Sequence, residues 1–198
     1  MFWRRTKSSV MISKLSPRTK LLYYLILRFY ERFRKPLYSR KKIQKLLFLV
    51  EHFDLERRAI VKSLGITGYT FYIWGYGPFS KEIYDDLEDL VEKKLIEENV
   101  VTLNQDIESE LGIDLNMYSD DGAGKRMYIY TPEKNDTKSL DLDPKVSLKI
   151  DTILSEFGMK KPHELEEIVN EMLKLDNKKK IRCWGISIDE YIEKGFSC

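Results

Sequence analysis

The sequence predicts a mainly helical α+β fold, and three observations carry that reading. Apolar residues recur at helical spacing through most of the chain. Only short stretches, residues 70–74, 100–103 and 126–130, are rich in β-formers or alternate. Between the helical stretches, an aromatic run, a Gly-x-Gly-Pro turn and a helix start follow one another without a gap over residues 69–84. Gly75 and Gly77 allow backbone angles closed to other residues, Pro78 fixes its own φ, and Ser80 can cap a helix whose first turn carries Glu82. Residues 69–74 are therefore expected to be buried, and Ser80 to open a helix.

Taken in order, residues 1–16 are polar, basic and without periodicity, which reads as a flexible basic arm, with Met11 as an alternative start to Met1. Pro17 stands at a helix start, followed by Leu21, Leu22, Leu25, Ile26 and Phe29 on one face, and the helix ends before Pro36. Ser39 can cap a second helix, in which Ile43, Leu46, Leu47, Val50 and Phe53 recur at helical spacing. After a break the helical pattern resumes over residues 54–64, until Gly65 and Gly68 stop it. Residues 70–74 read as a short strand, and residues 81–96 as a third helix with Ile83, Leu87, Leu90, Val91 and Leu95 inward.

Residues 100–103 and 126–130 then read as strands around an acidic insertion, residues 104–125. Three helices followed by a two-stranded hairpin are the order of a winged-helix-like core, here over residues 17–132, with the insertion as an unusually long wing. Residues 133–198 form a C-terminal helical extension: a helix opened by Asp143-Pro144 and closed by Gly158, and a second opened by Lys161-Pro162. A basic turn at residues 177–180 comes next, then a short helix with the capping box Ser187-x-x-Glu190.

Length and composition narrow the classes of function. A chain of 198 residues, 42% hydrophobic and 12% aromatic, can bury a proper core. Its longest strongly apolar run, residues 21–27, is about a third of the roughly 20 residues a membrane span needs. Cys183 and Cys198 lack Cys-x-x-Cys spacing and no secretory signal is evident, so neither a disulfide framework nor a zinc site is expected, and the chain reads as cytoplasmic and reduced. Charged residues reach 33% while glutamine occurs twice, a bias found in thermophile proteins. Residues 1–50 hold fourteen Lys and Arg against the single Glu31, a formal charge of +13; twenty basic and thirty-one acidic residues leave −11 on the rest.

That asymmetry raises two readings of the basic half: an anionic partner there, or a basic segment folded against the acidic remainder. Arg40, Lys41, Lys42 and Lys45 crowd the first turns of the second helix, where the helix dipole is also positive, and with Arg4 and Arg5 of the arm they are the candidate nucleic-acid-binding residues. The alternative is a solvated lysine face. The third helix, which enters the major groove in many winged helices, is expected to expose Asp85, Asp86, Glu88, Asp89 and Glu92, and phosphate would repel it. Those acids suit a basic protein partner, and Trp74, Tyr76, Phe79, Asp85, Asp86 and Asp89 are the candidate protein-interaction residues. No catalytic constellation is found: His52 and His163 lack ligand spacing, and Gly75-x-Gly-Pro lacks the Lys-Ser/Thr of a phosphate loop. His52 reads as a helix C-terminal residue. No catalytic residue, metal or cofactor is expected.

Residues 40–48 (RKKIQKLLF) and 71–84 (FYIWGYGPFSKEIY) together resemble the Panacea-type antitoxin domain and its uncharacterised prokaryotic and phage relatives, over about residues 39–97. The resemblance lies in a Lys-Leu-Gln-Lys-Leu-like helix, an aromatic segment, a Gly-Pro turn and a helix with an early tyrosine. It implies a helical, non-enzymatic module that binds a protein partner, such as a basic toxin or a regulated protein. The alternative is a winged-helix transcriptional regulator that binds DNA through its basic half. The arm, the long wing and the helices after Pro144 are not part of the shared pattern. Oligomeric state, homodimer included, stays open.

Overall fold

The computed structural model describes residues 12–102, 126–133 and 140–198. Arg4, Arg5 and the wing insertion of residues 104–125 lie outside the described residues. Of the expected arm, residues 12–16 are described, and Ile12 and Leu15 are buried in the core.

Helix α1 (Pro17–Phe33) starts where Ser16 Oγ accepts from Thr19 N at 3.0 Å and ends at Arg34, in the left-handed region at φ 54°. Strand β1 (Leu37–Tyr38) leads into α2 (Arg40–His52). Ser39, expected to cap α2, makes no side-chain cap; its N–H donates to Tyr128 O at 2.8 Å, and the residue sits at φ 71°. Every residue from Lys42 to His52 is buried, so α2 is the central rod of the fold. A helix buried all round must find internal partners for its polar side chains. For α2 these partners lie in the loops and hairpins wrapped around it.

The helix expected over residues 54–64 is instead a hairpin, β2 (Phe53–Asp54) with β3 (Ala59–Ile60). Asp54 Oδ1 accepts from the N–H groups of Glu56 and Arg57, both at 2.9 Å, and Arg58 takes φ 55°. An aspartate that bonds its own following backbone turns the chain where periodicity alone continues the helix. Residues 63–67 then wrap the carboxylate of Glu51, itself wholly buried. It accepts from Ser63 Oγ (2.6 Å), Gly65 N (2.6 Å), Ile66 N (3.3 Å), Thr67 N (2.5 Å) and Thr67 Oγ1 (2.6 Å). Burial raises the Glu51 pKa, but those hydrogen bonds outweigh it and the net displacement is downward.

Strands β4 (Tyr72–Trp74) and β5 (Gly77–Phe79) form a tight hairpin, followed by α3 (Glu82–Glu92). Ser80 does not cap α3. It is buried, Gln44 binds both its N–H (3.0 Å) and its carbonyl (2.7 Å), and its hydroxyl donates to Glu82 (2.5 Å). Strands β6 (Ile96–Thr102) and β7 (Arg126–Pro132) pair antiparallel from Ile96↔Pro132 to Thr102↔Arg126, longer than the sequence predicts, and β1 adds to β7 to give the order β1-β7-β6.

Helix α4 (Pro144–Phe157) is capped by Asp143, whose Oδ1 accepts from Lys145 N at 2.7 Å. It ends at Gly158, where a Cβ would lie 2.7 Å from the Phe33 ring, so the glycine serves close packing rather than a left-handed turn. Helix α5 (Pro162–Met172) comes next, and both α4 and α5 pack on α2. The expected basic turn at residues 177–180 is a short helix, α6 (Asn177–Arg182), because Asp176 caps it at Lys179 N (2.7 Å). The last helix, α7 (Ile188–Glu193), begins at Ser187, whose Oγ accepts from Glu190 N at 3.2 Å. One buried apolar cluster runs through all of these, from Ile12 to Tyr191. Among the described residues, no helix is long and apolar enough to cross a membrane.

Candidate protein-interaction site

The β4–β5 hairpin is fixed from below and dressed with rings above. Strand alternation turns Ile73 into the core, wholly buried, and Tyr72 and Trp74 outward, where they stay 39% and 42% exposed. Tyr69 and Phe71 are buried, so the expectation that residues 69–74 are all buried holds only for the inward positions. Tyr76, at the turn, is 48% exposed. Beneath it, Lys45 Nζ donates to Pro78 O at 2.8 Å. Gly77 stands at φ +84° with Asn170 Oδ1 occupying the place a Cβ would need, so no side chain fits between α5 and the hairpin.

The other edge of β4 is covered by residues 185–188. Gly185 N donates to Ile73 O (2.8 Å), Ile73 N to Ile186 O (2.9 Å) and Ile188 N to Phe71 O (2.9 Å). Trp184, 53% exposed, thereby comes within 4.9 Å of Trp74, ring centre to ring centre. Phe79 lies 5.4 Å from Trp74 and 5.4 Å edge-on from Tyr84. Together with Lys41 and Tyr76 these rings wall a cavity of about 280 Å³. On the far side of Trp74 is a second, shallower hollow of about 390 Å³, bordered by Tyr72, Phe79, Glu82 and Asp85.

The basic candidates of α2 do not form a solvated face. Lys42 and Lys45 are 1% and 2% exposed. Burial between the rings of Phe29 and Tyr38, each 5.0 Å from its Nζ, pushes the Lys42 ammonium down to about 8. Lys41 pairs with Glu166 at 3.0 Å and lies 3.9 Å over the Tyr76 ring. Arg40 donates to Tyr130 Oη (2.8 Å) and Glu98 (3.1 Å), with its guanidinium 3.7 Å over Tyr128. Burial works against its charge, and Tyr130 and Glu98 more than compensate, raising its pKa. The positive charge of the α2 start is thus consumed by packing and pairing, in line with a basic segment folded against the acidic remainder.

Of the acidic candidates, Asp85 is exposed and Asp89 half-buried and paired with Lys93. Asp86, expected on the exposed face, is 6% exposed. Arg18 grips it through Nε (2.7 Å) and a terminal nitrogen (3.1 Å), and Tyr69 Oη and Thr19 Oγ1 donate to it at 2.6 and 3.2 Å. It therefore ties α1 to α3 and is not a docking residue. Glu88 and Glu92 are exposed as expected.

Two features escaped the sequence reading. Trp184 reaches the site only through the pairing of residues 185–188 with β4, which no local signal announces. Cys183 and Cys198, expected to be reduced, are joined as a disulfide with their Cα atoms 5.5 Å apart. His52 ends α2 as expected and is buried there: it stacks on Phe48 and donates from Nδ1 to Val61 O at 3.0 Å, and burial lowers its pKa. Among the described residues, no group of three His, Cys, Asp or Glu could hold a metal ion. The arrangement offers rings, edges and carboxylates for contact.

The protein-family description "Antitoxin SocA-like, Panacea domain" matches residues 43–172. The match extends beyond residues 39–97, taking in α4 and α5, which the sequence reading leaves outside the shared pattern. It contains Trp74, Tyr76, Phe79 and the acids of α3, and omits α1, Trp184 and both cysteines. The chain matches no curated protein and no solved structure. With about two thirds of its length matched, the chain belongs to the SocA-like antitoxin family of Panacea domains.

Proposed function

We propose that this chain is a non-enzymatic interaction module that binds a protein partner through the outward rings of its β4–β5 hairpin, Trp74, Tyr76 and Phe79, with Asp85 and Asp89 of α3 alongside. The carrying observation is that three large aromatic side chains, Tyr72, Trp74 and Tyr76, stand 39% to 48% exposed on one clamped hairpin. Exposed aromatic clusters of this kind typify interface hot spots. Glu82 and the exposed Asp85, with one lysine, Lys81, border the hollow beside these rings, so its charged rim is acidic on balance. The partner is therefore one with a basic rim, as a toxin that acts on nucleic acid has. We place these features on a winged-helix-like core of residues 17–132, with residues 104–125 as its wing and residues 133–198 as a helical extension. In support, α1-β1-α2-α3-β6-β7 is the winged-helix order, with two small hairpins added between α2 and α3.

Nucleic-acid binding ranks second. Of its described candidates, Arg40 and Lys41 are paired and Lys42 and Lys45 are buried. The test is growth rescue: the chain is co-expressed with the product of the reading frame beside its own, chosen for toxicity when expressed alone. Rescue by the wild type and its loss in Trp74→Ala/Tyr76→Ala is the expected outcome. A double variant that folds and still rescues overturns the proposal, and tight, salt-sensitive binding to duplex DNA would promote the second reading.

A further inference from the structure

The outer wall of the aromatic cavity is supplied by the C-terminal segment, which the family match leaves out. Residues 185–188 pair with β4 through three backbone hydrogen bonds and one β-bridge, Tyr72↔Ser187, and this pairing carries Trp184 to Trp74. The segment is held from both ends. Tyr191, fully buried, donates from its hydroxyl to Leu173 O at 3.2 Å, and Phe196 meets its ring edge-on at 5.9 Å. Cys183, also fully buried and directly before Trp184, is bonded to the exposed Cys198 across 15 residues. The bridge therefore closes a loop containing all of the paired residues 185–188 and α7.

We propose that residues 183–198 form a thiol-controlled wall of the docking surface: bridged, they hold Trp184 against Trp74, and reduced, they release it. The consequence for binding rests on the proposed docking role of this surface. The chemistry is thiol–disulfide exchange with a dithiol. One thiolate of the dithiol attacks Cys198, the exposed partner, forming a mixed disulfide and expelling Cys183 as thiolate, which takes a proton. The second thiol of the dithiol closes its own disulfide and frees Cys198. Two electrons and two protons pass from the dithiol to the protein. Opening a closed loop of this length weakens the segment's hold on β4 on the order of a hundredfold.

Amide hydrogen exchange on the full chain, oxidised and after dithiothreitol, tests this, with intact mass reporting the two-proton difference. Peptides covering residues 71–75 and 183–190 are expected to exchange on the order of a hundredfold faster after reduction, while peptides from α2 keep their protection. Cys198→Ser, which spares the buried Cys183, should match the reduced chain with or without dithiothreitol. Three results would each overturn the proposal: unchanged exchange in a fully reduced chain, equal acceleration in α2, or two free thiols in the chain under air oxidation. Because the readout needs no partner, such a failure leaves the docking surface itself in place. Failure of the docking reading would show instead as retained rescue by Trp74→Ala/Tyr76→Ala.

Discussion

Replacing Glu51 by glutamine tests the link between α2 and the approach to the aromatic hairpin. The carboxylate is wholly buried and takes five hydrogen bonds, three on Oε1 from residues 63–66 and two on Oε2 from Thr67. Glutamine keeps the shape and one acceptor oxygen. If that oxygen stays with the three donors, an amide N–H₂ faces Thr67 N–H, and a backbone donor loses its acceptor while the Thr67 hydroxyl must reverse. A hydrogen bond to a charged group is worth about 1.5–3 kcal/mol, and removing a buried charge recovers part of its desolvation cost. The net loss is therefore about 2–4 kcal/mol, well short of five separate bonds. Urea denaturation measures it directly, and amide exchange at Gly65 and Thr67 should accelerate. The pH dependence supplies a second check. With its folded pKa below the ordinary value of 4.5, Glu51 stabilises the fold above pH 4.5, and that contribution is lost as pH falls through the folded pKa. Glu51→Gln should lack this share of the acid limb. A variant within about 0.5 kcal/mol of wild type, with the acid limb intact, would refute the reasoning.

Two further positions give outcomes of the same kind. Gly77→Ala forces a side chain to φ +84° and against Asn170, and should cost about 2–4 kcal/mol in urea denaturation, with the steric share recovered in Gly77→Ala/Asn170→Ala. His52 is held neutral, its pKa below the ordinary 6.5, so the unfolded chain binds the extra proton and stability should fall as pH drops below about 6.5. His52→Asn, which keeps a donor for Val61 O, should flatten that segment of the profile in thermal denaturation across about pH 5 to 7.

Much of the fold is legible because its signals are local. Pro17, Asp143-Pro144, Lys161-Pro162 and Ser187 mark helix starts that the backbone uses. The Gly-x-Gly-Pro turn fixes the hairpin because the conformation at Gly77 admits no other residue cheaply. What could not be read were the partners of polar side chains across the chain. Lys42 and Lys45 look like a charged face in one dimension, and only the arrival of β5, α1 and β1 around α2 buries them. Asp86 has the same spacing as its exposed neighbours, yet Arg18, 68 residues away, claims it. Residues 54–64 carry a helical apolar pattern, and one Asp turn overrides it. Trp184 joins the site through a strand pairing between segments more than a hundred residues apart in the chain.

The burial of α2 on every side has a mechanical consequence. Lys45 holds β5 through Pro78, and Glu51 holds the loop that enters β4, so a single rod grips the aromatic hairpin at two points six residues, or about 9 Å, apart. Neither grip reaches solvent. In the proposed docking the hairpin therefore has little freedom left to surrender, and the adaptation must come from the partner, which meets a template rather than a pliable surface.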